Sequence, residues 1–180
     1  MSAPIHRLTP DDLLSAATGL LATERDPLAN MANLSALIFE ALPDLNWAGF
    51  YLYRPQTTAP ATLFTLAQVA SSSPQAAQGE LVLGPFQGRV ACTRIALGKG
   101  VCGTAAETRT TQRVPDVHEF PGHIACDVAS ASELVIPLVA HGQLLGVLDL
   151  DSPLKNRFSV QEQQLLEELV SAFLATLPAV

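Results

Sequence analysis

The chain has 180 residues, of which 48% are hydrophobic and 15% charged, with a formal charge of −7. That length and composition fit one folded domain with a substantial core and exclude a disordered chain. The negative balance, with ten scattered Lys and Arg residues, argues against nucleic acid and against anionic membrane surfaces, since both demand a basic patch.

Residues 8–21 read as a first helix. Thr9 caps it, Pro10 suits its first turn, and Leu13, Leu14, Ala17, Leu20 and Leu21 form one apolar face. A second helix begins after Asp26 and Pro27. Leu28, Met31, Leu34, Ile38 and Leu42 recur at helical spacing before Pro43 stops it. NWAGFYLYR (46–54) changes to a period of two. It puts Trp47, Gly49, Tyr51 and Tyr53 on one strand face and Ala48, Phe50 and Leu52 on the other. The Thr-, Ala-, Ser- and Pro-rich segment 55–79 reads as a hairpin insertion with no chemistry, and ELVLGPFQG (80–88) as the returning strand.

ACTRIAL (91–97) is a further short strand, and GKGVCGTAAETR (98–109) is a Gly-rich turn opening a helix at about Cys102 to Thr108. Residues 110–117 are extended and HEFPGHIACDVAS (118–130) is a loop. SELVIPLVA (132–140) and QLLGVLDLD (143–151) read as paired strands joined at His141 and Gly142. Ser159 and Glu162 form a capping box for a last helix that turns Leu166, Leu169, Val170, Phe173 and Leu177 to the core. The order predicts an α+β fold, a mostly antiparallel central sheet with the N- and C-terminal helices on one face and loops on the other. The expected division of the single domain, 1–180, is N-terminal helices in 1–45, sheet and loops in 46–158, and the C-terminal helix in 159–180.

No apolar run approaches ~20 residues and the N-terminus lacks a signal-peptide pattern, so the expected setting is cytoplasmic. Three cysteines in such a chain argue against a structural disulfide framework and leave metal binding, redox chemistry or burial. Cys92, Cys102 and Cys126 all fall in Gly-punctuated segments. Cys102 stands near a predicted helix N-terminus, which would lower its thiol pKa from ~8.5. Together with His118 and His123 the cysteines supply enough ligands for zinc, but there is no CxxC pair and no structural zinc spacing.

Asp149 and Asp151 lie two residues apart on one strand, so both side chains leave the same face, while Leu144, Gly146, Leu148 and Leu150 leave the other. Two carboxylates side by side repel, and one pKa should rise, leaving a proton for acid catalysis. Turn residues ending a strand explain the pair equally well. Glu133 starts the neighbouring strand and would make the pair a trio.

Taken together, NWAGFYL, LVLGPFQG, ACTRI, GKGVCGTAA, VPDVHEFPGHIACD, SELVIPL and GVLDLDSP closely resemble the free methionine-(R)-sulfoxide reductases, which are single-domain GAF proteins. The resemblance covers about residues 46–160, and its main departure is the long 55–79 insertion. It implies reduction of free L-methionine (R)-sulfoxide through a cysteine sulfenic acid and an intramolecular disulfide, with a thioredoxin-type reductant, no metal and no organic cofactor. By the resemblance Cys126 is the nucleophile, Cys92 the main resolving cysteine and Cys102 an alternative resolving or relay thiol. Glu133, Asp149 and Asp151 match the family's substrate-site carboxylates, one protonated to activate the sulfoxide oxygen and another ionised to hold the ammonium. Trp47 and Tyr51 would wall the S-methyl pocket, and backbone N–H groups near Ile124 and Ala125 would hold the substrate carboxylate. Segment 114–130 would act as a lid, and family habit implies a homodimer. The competing readings are a non-catalytic GAF small-molecule sensor, favoured by fold analogy alone, and a structural zinc protein.

Overall fold

The computed structural model describes residues 8–56, 79–122 and 127–177. Helix α1 (Pro10–Thr23) starts where Thr9 Oγ1 donates to Asp12 Oδ2 at 2.6 Å. Helix α2 (Pro27–Ala41) starts where Asp26 Oδ1 accepts from the backbone N–H groups of Leu28 and Ala29 at 2.8 and 3.2 Å. The Asp26 cap satisfies N–H groups that the helix itself leaves without partners. Strand β1 (Trp47–Pro55) pairs antiparallel with β2 (Gly79–Gly88), in register down to Pro55 opposite Gly79. The insertion expected between them falls, for residues 57–78, outside the described residues.

Strand β3 (Arg94–Ala96) is shorter than predicted because it pairs only with Glu80–Val82, leaving Cys92 in a loop. Helix α3 (Gly100–Thr108) and strand β4 (Gln112–Val114) follow, then a 3-10 turn (Val117–Glu119). Strands β5 (Ser132–Ala140) and β6 (Gln143–Ser152) form the predicted antiparallel pair. The link between them carries positive φ at both His141 (50°) and Gly142 (76°), as a tight hairpin turn requires. Helix α4 (Val160–Leu174) opens with the expected capping box: Ser159 Oγ accepts from the Glu162 N–H at 3.1 Å, and Glu162 Oε2 accepts from the Ser159 N–H at 2.9 Å. Among the described residues no helix is long and apolar enough to cross a membrane.

The six strands form one antiparallel sheet in the order β3-β2-β1-β6-β5-β4. Ala48, Phe50 and Leu52 of β1 and Leu148 and Leu150 of β6 leave one face and meet α1, α2 and α4. Trp47, Tyr51, Val135 and Val147 leave the other face and meet α3. The chain is therefore the expected α+β arrangement, with α3 and neighbouring loops over the second face.

Three details depart from the sequence pattern. Leu20 and Leu28 are 36% and 59% exposed, because the buried stripe of α1 runs through Leu13, Ala17 and Leu21, and Leu28 sits in the first turn of α2 outside the core. Leu144 belongs to the α3 face, not the helix-packed face. The reason is a register irregularity at Leu138/Val139: Leu138 opposes Gly146 and Val139 opposes Leu144, so Leu145 is the extra residue and joins the first cluster instead. One inserted residue reverses the alternation on the far side of it.

Candidate active site

The C-terminal end of β6 carries Asp149 and Asp151 onto the α3 face. Sheet register then sets their neighbours. Asp151 lies opposite Trp47 of β1 on one side and Glu133 of β5 on the other, and Asp149 lies opposite Gly49 and Val135. One carboxylate oxygen from each of Glu133, Asp149 and Asp151 lies within 4.8 Å of the other two, and all three residues are at least nine-tenths buried. The predicted trio is thus brought together, in a geometry open to a cation or an ammonium.

Burial and the neighbouring carboxylates push both aspartates well above the usual range. For Asp149 the causes are desolvation and then the Glu133 charge, partly offset by a hydrogen bond from the Cys102 thiol. For Asp151 they are desolvation, then Asp149, Glu133 and Asp127, and a hydrogen bond to Glu133 that favours the protonated form. The contact with Glu133 thus favours a proton on Asp151.

Above this floor lies a pocket of about 460 Å³, counting space open to solvent, which reaches out to Lys99 and Asp127 at its rim. Trp47 and Tyr51 line it, stacked on each other with ring centroids 5.6 Å apart, and Trp47 also stacks on Phe86 at 5.4 Å. Gly49 makes this possible: a Cβ there would stand 2.3 Å from Phe86 Cβ and 2.7 Å from Trp47 Cη2. Two buried polar atoms of the site have no hydrogen-bond partner, Trp47 Nε1 and Asp149 Oδ1. Buried polar groups are nearly always satisfied, so such a pair marks a place for a ligand. The Tyr51 hydroxyl is pushed up by burial and then by the Asp149 charge, and donates to the Cys92 carbonyl oxygen at 3.0 Å.

The cysteines divide sharply. Cys92, half-buried in the loop between β2 and β3, is disulfide-bonded, whereas Cys102 is a free, buried thiol. Cys126, with His123, Ile124 and Ala125, lies outside the described residues. The expectation that α3 lowers the Cys102 pKa is overturned. The residue does sit in the first turn of α3, but desolvation and the charges of Asp149, Glu133 and Asp151 push its thiol well up. A helix end supplies about half a unit charge, too little against burial over three acids. Among the described residues the cysteines and His118 assemble no zinc site either: Cys92 is taken up in its disulfide, and His118 bonds Asp116 at 2.8 Å. Among the described residues, the acidic trio is the one grouping that could hold a metal ion.

Sequence reasoning passed over the rim. Asn46 Nδ2 donates to Asp127 Oδ2 and to Ser130 Oγ, both at 3.0 Å, tying the end of the 118–130 segment to the start of β1. The Ala129 N–H and Asn46 hold the Asp127 carboxyl below its usual range. The signal available was a polar Asn directly ahead of a buried aromatic strand. Lys99, immediately before α3, is the cation among the pocket-lining residues and was read only as part of a turn.

A GAF domain matches residues 28–177 of the chain, and the sheet with its helices and α3 pocket is of that class. A free methionine-R-sulfoxide reductase of Escherichia coli is 47% identical over 160 residues, covering 89% of this chain and 83% of the relative. The structure of the reduced enzyme of that kind from Staphylococcus aureus superposes with a TM-score of 0.78 at 39% identity, covering 99% of this chain and all of that one. The enzyme from Neisseria meningitidis, solved in complex with its substrate, gives 0.76 at 36% identity, covering 93% and 87%. The chain belongs to the GAF-domain family and, within it, to the free methionine-R-sulfoxide reductases.

Proposed function

We propose that this chain reduces free L-methionine (R)-sulfoxide to L-methionine with cysteine thiols and no metal or organic cofactor. The observation that carries the reading is the buried trio of Glu133, Asp149 and Asp151 under a pocket whose Asp149 Oδ1 and Trp47 Nε1 lack partners. The relatives' names and the substrate complex of the Neisseria enzyme support the choice of substrate.

In the proposed mechanism the Cys126 thiolate attacks the sulfoxide sulfur while Asp151 gives its proton to the sulfoxide oxygen. The sulfur–oxygen bond breaks, the oxygen passes to Cys126 as a sulfenic acid, and methionine, reduced by two electrons, leaves. The Cys92 thiol then condenses with the sulfenic acid, forming a disulfide and releasing water. A dithiol of the thioredoxin type reduces that disulfide, which suits a cytoplasmic setting. Support for Cys92 as the resolving residue is that it is disulfide-bonded while Cys102 is free, in a chain of three cysteines.

Asp149 in its ionised form holds the substrate ammonium, and the backbone N–H groups of Ile124 and Ala125 hold its carboxylate. Trp47 and Tyr51 wall the S-methyl group. A pocket that must pair both charges rejects methionine sulfoxide inside a peptide, which carries neither. The test is NADPH consumption coupled through thioredoxin with free methionine sulfoxide as substrate. Cys126→Ser should abolish it, and wild-type turnover by that variant would refute the mechanism.

A further inference from the structure

Ser130 lines the pocket beside Asp127 and Asp151, yet the mechanism gives it no part. It is only 4% exposed, and backbone bonds fix its place. The Ser130 N–H donates to the Asp127 carbonyl at 3.1 Å, and the next residue, Ala131, donates to the Ser152 carbonyl at 2.7 Å. On the other flank of β6 the Asn46 N–H donates to the Asp151 carbonyl at 3.1 Å. Ser130 and Asn46, bonded to each other through their side chains, therefore stand at the Asp151 end of the acidic trio. Asp149 lies two residues, roughly 6–7 Å, back along the strand.

The direction of the Ser130 hydroxyl follows from its partners. An ionised carboxylate can only accept, and Asp127 is held in that form by the Ala129 N–H and Asn46. The Asn46 amide must therefore turn Nδ2 toward Asp127, and it donates to Asp127 Oδ2 at 3.0 Å. The second Nδ2 hydrogen goes to Ser130 Oγ, also at 3.0 Å. This orientation leaves Asn46 Oδ1 buried without a partner. Ser130 Oγ is thus committed as an acceptor toward Asn46, so its own hydrogen cannot point that way. Among the described residues that hydrogen finds no acceptor. Buried donors are nearly always satisfied, and this one sits on the wall of a pocket.

We propose that Ser130 recognises the sulfoxide oxygen: its Oγ–H donates to that oxygen alongside the proton of Asp151. This rests on the reading of the site given above. A sulfoxide oxygen has lone pairs for both donors, and Ser130 stands at the end of the trio where Asp151 meets that oxygen, away from the ammonium at Asp149. The contact also separates substrate from product. Methionine keeps the ammonium, the carboxylate and the side-chain stem but offers only a weakly accepting sulfur in place of the oxygen. Once the oxygen is gone, the hydroxyl has lost its partner, and methionine is held less firmly than the sulfoxide it came from.

The test is equilibrium binding of free methionine sulfoxide and of methionine to reduced Cys126→Ser protein, in which the proposed chemistry cannot start. The single Trp supplies the fluorescence signal. With Ser130 in place the sulfoxide should bind more tightly than methionine, and equal affinities overturn the proposal without any further variant. Ser130→Ala should weaken the sulfoxide about tenfold, the size of one hydrogen bond, and leave methionine within about twofold. With Cys126 intact, kcat/KM should fall by the same factor or more. Parallel weakening of both ligands would assign the hydroxyl to the shared carboxylate or to the fold, and no weakening of either would leave it without a ligand. Both results overturn the proposal. The infrared S=O stretch of the bound sulfoxide, picked out by isotopic labelling of its oxygen, reports the bond itself. It should lie at higher frequency in Ser130→Ala than with Ser130 in place, and an unmoved band also overturns the proposal. If the protein with Ser130 in place bound neither ligand, the substrate reading itself would fail and this proposal with it, a result distinct from all the others.

Discussion

Glu133 and Asp151 stand directly opposite each other across the β5–β6 ladder, and Asp151 donates a hydrogen bond to the Glu133 carboxylate. A pair arranged this way stores one proton beside the pocket. The donor works only while Asp151 is protonated, so on the alkaline side kcat should fall as pH rises through the raised Asp151 pKa. Asp151→Asn keeps the shape but has no proton to give. It should lower kcat by about 100-fold or more, in line with general acid catalysis, and remove the alkaline limb. A pH–rate profile of both proteins checks this, and an Asn variant with an unchanged alkaline limb would assign the limb elsewhere.

The same carboxyls should cost stability. Folding raises the pKa of Asp149 and Asp151, so the native state binds more protons than the unfolded chain. Stability from this source is present below the unfolded value, 3.8, and is lost as pH rises through the raised native values. At neutral pH, therefore, Asp149→Asn and Asp151→Asn should each stabilise the fold while disabling the enzyme. Each ~1 kcal/mol gained would appear as about 2–4 °C in Tm for a chain of this size. The gain should shrink in melts run at acidic pH, and a Tm lowered at neutral pH would contradict it.

Much of this was legible before any coordinates. Thr9, Asp26 and Ser159 announce three helix starts because capping is local chemistry, written within four residues. Asp149 and Asp151 share a face because strand alternation is equally local. The failures are non-local. Leu144 changes face because Leu145 bulges against β5, which no pattern within β6 reveals. The sign of the Cys102 shift is not legible in GKGVCG, which displays the helix end, while the acids beneath it come from β5 and β6, some thirty to fifty residues away. Asn46, Asp127 and Ser130 form one knot at the rim, yet its hub, Asn46, is 81 and 84 residues from the other two.

The two redox roles separate by stoichiometry. Pre-reduced Cys92→Ser should release about one methionine per chain and stop, its Cys126 left as a sulfenic acid that a dimedone-type trap captures. Cys126→Ser should release none. Mass spectrometry of the trapped protein decides it, and methionine release from Cys126→Ser would move the nucleophile to another thiol.

Gly49 offers the most direct test of how the sheet shapes the pocket. It lies opposite Asp149 on one side and Phe86 on the other, at a register shift in the β1–β2 pairing. A Cβ there would meet Phe86 Cβ at 2.3 Å, the Phe86 backbone at 2.8 Å and Trp47 Cη2 at 2.7 Å. Phe86 can retreat only by opening the β1–β2 ladder, and the Trp47 ring must move as well. Gly49→Ala should therefore lower stability by about 1–3 kcal/mol, the range for overpacking a filled interior. It should also raise KM, because Trp47 lines the pocket. The chain has a single Trp, so its fluorescence reports this ring alone, and the emission should shift toward that of a wetter indole. Gly142→Ala is the control: its φ of 76° makes alanine strained, costing about 1 kcal/mol, but nothing lies within 4 Å of the added carbon and the turn is on the far end of β6 from the acids. Its KM and emission should match wild type. If Gly49→Ala left KM and emission equally untouched, the close packing of Trp47 over this glycine would not be what shapes the pocket.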